Sequence, residues 1–69
     1  MYVKTIHETE NAKMNAYATG MYKVVYKHFF GDDIYGIEFD NMADAGEMFN
    51  MVNMADITKQ ELIDLGFEL

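Results

Sequence analysis

Between Met21 and Phe39 the side chains alternate through two runs separated by Gly31-Asp32-Asp33, and nothing else in the chain restricts its fold as tightly. Tyr22, Val24, Tyr26, His28 and Phe30 share one face of the first run, and Tyr35, Ile37 and Phe39 share a face of the second. A repeat of two is the side-chain period of an extended strand. Glycine beside aspartates supplies the turn between them. Residues 21–30 and 34–39 are therefore expected to form an antiparallel hairpin. The faces suggest its register: Phe30 opposite Tyr35, His28 opposite Ile37 and Tyr26 opposite Phe39, with Lys27 opposite Glu38 as an opposite-charge pair. A slip of one residue would send the two apolar sets to opposite faces and lose that pair.

The period changes after Phe39. At about 100° per residue, Met42, Ala45, Met48, Phe49 and Val52 lie on one arc of a helix, while Asp40, Asp44, Glu47, Met51 and Met54 form a second stripe. A helix over about residues 41–54 is expected, capped by Asp40 or Asn41, with acids early where the helix dipole favours them. Gly46 within it points to close approach by another backbone, since glycine in a helix costs about 1 kcal/mol relative to alanine. Thr58-Lys59-Gln60-Glu61 reads as a capping box, with Ile57 placed to staple against Leu62. That second helix should span about residues 59–65 and stop at Gly66 in the left-handed conformation, with Phe67 and Leu69 returning to the core.

The N-terminal third is less legible. Residues 2–7 carry β-branched and aromatic side chains suited to a strand. Residues 9–20 read as a short helix capped by Thr9 and stopped by Gly20, or as an irregular connection, because alanines at 12, 16 and 18 favour helix. A turn at Glu10-Asn11 followed by another strand is the competing reading. The expected class is α+β: one small acidic domain, residues 1–69, whose antiparallel sheet of about three strands carries two C-terminal helices on one face.

Composition narrows the chemistry. Cysteine and serine are absent, which removes disulfides, thiolate metal sites and serine nucleophiles. His7 and His28 lack the spacing of a metal motif, and His28 falls on the apolar face of its strand, where a half-buried, hydrogen-bonded ring is the common outcome. No cofactor and no catalytic set is expected. A domain of this size buries only about 60% of the surface its unfolded chain exposes, leaving little material for a cleft beside a core. No apolar run approaches the roughly 20 residues of a membrane span, and a cytoplasmic setting is expected.

Twelve acids against five lysines give a formal charge of −7, with ten of the acids after residue 31. Arginine is missing altogether. Direct nucleic-acid binding, which draws on clustered Lys and Arg, is thereby disfavoured. A basic surface on a larger protein is the better partner. The expected contact is the stripe Asp40, Asp44, Glu47, Met51 and Met54, joined by Asp32 and Asp33 of the hairpin turn. A carboxylate row on a rigid helix would compete as a phosphate mimic, which suits an inhibitor such as a viral or mobile-element anti-defence protein. The alternative is an assembly subunit or homodimer, built on a Met and aromatic interface between copies of this chain. Whether the second helix covers Met51 and Met54 decides how much apolar surface either reading has at its disposal.

Overall fold

The computed structural model describes residues 2–69, and these form an α+β fold with four antiparallel strands and two helices. The strands are β1 (Tyr2–Glu8), β2 (Ala12–Tyr17), β3 (Tyr22–Phe30) and β4 (Asp33–Phe39), arranged in the order β1-β2-β3-β4. Helix α1 covers Met42–Val52 and α2 covers Lys59–Asp64.

The additional strand is β2, where a helix or irregular connection was the preferred expectation. Its Ala12, Met14 and Ala16 alternate with Lys13, Asn15 and Tyr17, so the residues that favoured a helix by propensity serve as the small inner face of a strand. Ala12 and Met14 are fully buried. Thr9 caps a turn instead of a helix: its amide donates to the Ala12 carbonyl at 2.9 Å, and its hydroxyl accepts from the Asn11 and Ala12 amides. Glu10 and Asn11 form the centre of that turn, as the competing reading required.

The β3–β4 hairpin is present with its apolar faces matched, but in a different register. Phe30 pairs with Asp33 across a two-residue turn, and Tyr26 pairs with Tyr35. Tyr26 had been expected opposite Phe39, so the strand is displaced by four residues (39 − 35) at that point. Two come from the tighter turn and two from the irregularity between Tyr26 and Phe30. An even displacement keeps every side chain on its own face, which is why the patterning tolerates it. The pairs Lys27 with Glu38 and His28 with Ile37 do not form. Lys23 lies opposite Glu38, Val24 opposite Ile37, and Lys27 instead reaches Glu8 of β1, with Nζ to Oε2 at 2.7 Å. His28 is exposed, not half-buried, and hydrogen-bonds through Nε2 to Asn11 Oδ1 at 2.8 Å.

Both helices lie on one face of the sheet. Ala45, Phe49 and Val52 of α1 join Met14, Val24, Tyr26, Tyr35, Ile57, Leu62 and Phe67 in a single core. Met42, expected on the same arc, is 52% exposed at the first position of the helix; Met48 packs against the core only partly buried. Helix α1 ends at Val52, earlier than expected, and Met54 belongs to the turn that follows. The Thr58–Glu61 capping box is complete, and Ile57 and Leu62 are both buried. Gly66 takes φ +102° and ends α2, whose last helical residue is Asp64. Phe67 enters the core, but Leu69 does not: Glu68 pairs through backbone hydrogen bonds with Gly36 on the outer edge of β4, which carries Leu69 out to 77% exposure. Among the described residues no other part of the chain approaches Gly46, since a Cβ there would meet no atom within 4 Å outside its own stretch of helix.

The Cα radius of gyration is 11.1 Å, matching the value of about 11 Å for a compact chain of this length. Among the described residues no buried side-chain polar atom lacks a partner. The buried Asn15 illustrates how this is achieved on the far side of the sheet: Thr5 donates its one hydroxyl proton to Asn15 Oδ1 at 2.8 Å, so Tyr2, 2.8 Å from Thr5 Oγ1, must be the donor in that contact. Among the described residues no helix is long and apolar enough to cross a membrane.

Candidate functional site

Helix α1 is capped by Asn41, whose side chain accepts from the Asp44 amide at 2.9 Å while its Nδ2 donates to Asp40 Oδ1 at 3.0 Å and Asp44 Oδ2 at 2.9 Å. One amide group thus draws two carboxylates together at the positive end of the helix. Glu47 and Met51 continue from Asp44 at helical spacings of three and four, and all three are exposed. Asp44, Glu47 and Met51 of the expected stripe thus share an exposed face of α1, while Asp40 and Met54 lie just outside the helix at its two ends.

At its C-terminal end the stripe meets a groove. Met51, Met54, Ile57 and Leu65 line a hollow of about 290 Å³ between α1 and α2, with Glu61 and Asp64 at its rim. Met51 and Met54 are 51% and 42% exposed. The reason lies in α2, which is only six residues long and turns Leu62 to the core. What remains for the groove is Leu65 and two carboxylates. The second helix consequently flanks the two methionines without covering them.

Met54 is held from below. The hydroxyl of Tyr26, a fully buried residue of β3, donates to the Met54 carbonyl at 2.8 Å. Burial pushes the Tyr26 phenol above its ordinary 10.0, with the charge of Asp56 acting in the same direction and a backbone hydrogen bond at Ile57 opposing both. A contact between the Thr9 hydroxyl and Asn53 Oδ1, at 2.5 Å, ties the same turn to the β1–β2 connection. The end of α1 is thus anchored to two separate parts of the sheet.

Asp32 and Asp33 are not part of this surface. They sit at the tip of the β3–β4 hairpin, whereas Asp40 and Asp44 lie past the other end of β4. Seven residues of strand at about 3.3 Å each separate Asp33 from Asp40 by roughly 23 Å. The two histidines are apart in role as well as sequence: His7 lies against Phe49, with ring centroids 5.8 Å apart, and His28 binds Asn11. Among the described residues no three His, Asp or Glu side chains form a group able to hold a metal ion.

The uncovered face of the sheet has the opposite character. Alternation places Lys13, Lys23 and Lys27 on it, beside Val25, Glu8 and Glu38. Lys27 holds the Glu8 carboxyl below its usual range, chiefly by its hydrogen bond and then by its charge. Towards the hairpin tip Phe29 and Ile34 are 62% and 46% exposed. That apolar patch escaped the sequence reading for Ile34, which had no defined neighbour until the register was known. The molecule is therefore polarised, with lysines on its sheet face and, on its helical face, carboxylates that form no ion pair among the described residues. Comparisons with models of protein families, with characterised proteins and with solved structures find no match.

Proposed function

We propose that the chain is a non-enzymatic protein-binding module that presents its helical face to a basic surface on a larger partner. The observation that carries this reading is the exposure of Met51 in line with Asp44 and Glu47, with Met54 beside it in the groove, so that an apolar anchor and a row of carboxylates belong to one continuous surface. Long-range attraction from a chain of charge −7 would speed encounter with a basic surface, and the methionines would slow release. Where that surface normally holds nucleic acid, the paired Asp40 and Asp44 carboxylates followed by Glu47 would occupy it in place of phosphates. The mechanism is then inhibition by occupancy, as an anti-defence protein of a virus or mobile element would use.

The test is capture from a lysate of the source cell on the immobilised full chain, beside an Asp44→Lys, Glu47→Lys variant. A partner should be retained by the native chain, released by raised salt, and associate at least about tenfold more slowly with the variant. Equal retention by both chains would remove the acidic face from the account. The exposed Phe29 and Ile34 on the open sheet face support a second reading, an assembly subunit. Sedimentation separates the two, because a stable homo-oligomer whose formation is abolished by Phe29→Ser would favour assembly.

A further inference from the structure

Resting on that protein-binding reading, we infer that the groove between α1 and α2 receives an amphipathic basic helix of the partner, with apolar side chains seated on Met51, Met54, Ile57 and Leu65 and Lys or Arg side chains meeting Glu47, Glu61 and Asp64. The size of the hollow favours side chains as its occupants. At about 290 Å³ it lies at the lower limit of small-molecule pockets, which run from about 300 to 1,000 Å³, and its polar groups are carboxylates at the rim.

Backbone chemistry selects a helix over a strand. The floor of the groove is the turn through Met54, whose amide donates to the Val52 carbonyl and whose carbonyl accepts from the Tyr26 hydroxyl, so an extended peptide laid there would find no ladder to join. A helix arrives with its own backbone satisfied and needs only an apolar stripe. Charge selects its polar face. The charged residues lining the groove are Glu61 and Asp64, and Glu47 stands one helical turn before Met51. A second copy of this chain would fit poorly, because α1 carries no lysine and α2 only Lys59, so its helices would bring carboxylates against carboxylates. An anionic lipid surface is disfavoured for the same reason. Methionine suits a site that must seat aliphatic side chains of varied shape.

The probe is a synthetic peptide of leucine and lysine, with the leucines at helical spacing, titrated into the full chain carrying ¹³C-labelled methionine methyls. A control peptide has the same composition with leucine and lysine strictly alternating, which removes the helical apolar stripe. The Met51 and Met54 methyl signals should shift and saturate with the first peptide, while buried Met14 and distant Met42 stay in place. Met51→Ser with Met54→Ser should weaken binding by about tenfold or more. Asp64→Lys should weaken it with its salt dependence reduced; Glu61 is left intact because it completes the α2 capping box. Equal binding of both peptides, independent of Met51 and Met54, would overturn the helix-in-groove inference and leave the acidic-face reading standing. Failure of both peptides to bind would overturn the two together.

Discussion

Tyr26→Phe removes one oxygen atom from beneath the candidate surface and leaves the ring in place. Tyr26 is fully buried, and its hydroxyl donates to the Met54 carbonyl at 2.8 Å. The hydrogen bond itself is worth about 0.5–1.5 kcal/mol, and the abandoned carbonyl adds to the loss. Because Met54 is 42% exposed, water can reach part of that turn, so the added penalty falls low in its range and the total is about 1–2 kcal/mol. With an unfolding entropy of about 2.1 cal/mol/K per residue, or about 0.14 kcal/mol/K here, Tm should fall by about 7–14 °C at neutral pH. The comparison has a second arm in pH. The folded-state phenol is raised above 10.0, so its stabilising contribution is complete below that value and is lost as pH rises through the folded one. The gap between native chain and variant should therefore narrow above pH 10. Chemical denaturation followed by circular dichroism across neutral and alkaline pH measures both arms. A variant as stable as the native chain at pH 7, or a gap that does not change with pH, would refute the anchoring of Met54 by Tyr26.

Three further outcomes follow from the packing. Phe49→Ala should cost about 3–4 kcal/mol, since the ring is 7% exposed against the core and His7; a near-neutral denaturation midpoint would mean that α1 packs by another face. Gly46→Ala should stabilise by about 0.5–1 kcal/mol, because a Cβ there meets open space and alanine is the better helix former; destabilisation would reveal an unrecognised close neighbour. Thr58→Ala should cost about 0.5–2 kcal/mol and increase amide hydrogen exchange in α2, and unchanged exchange would show that the capping box does not hold the helix.

Those parts of the fold that depend on local pattern were legible in the sequence. The Thr58 capping box and the helical arc of Ala45, Phe49 and Val52 are statements about neighbours within one or two turns, and they require nothing from the rest of the chain. Strand β2 was obscured because alanine carries a helix preference that tertiary packing overrides: Ala12 is small on account of its burial, and its alternation with Met14 and Ala16 was the available signal. The hairpin register was constrained only to parity. Patterning penalises a slip of one residue and is indifferent to a slip of two or four, so the choice passed to the Gly31-Asp32 turn and the irregularity before Phe30. The acidic stripe of α1 could be drawn from spacing alone, but its separation from Asp32 and Asp33 needed the direction in which α1 follows β4. The exposure of Met51 and Met54 likewise depended on how little of α2 is left once Leu62 has turned inward.

The functional account depends above all on that groove being open in the native molecule. Its most direct test is the relaxation of ¹³C-labelled methionine methyls by a neutral, water-soluble paramagnetic agent, at a dilution where the chain sediments as a single species. Met51 and Met54 should relax strongly, as exposed Met42 does, while Met14, 1% exposed, remains protected. Protection of Met51 and Met54 to the level of Met14 would mean that another surface already covers the groove, and the account would be contradicted at its centre.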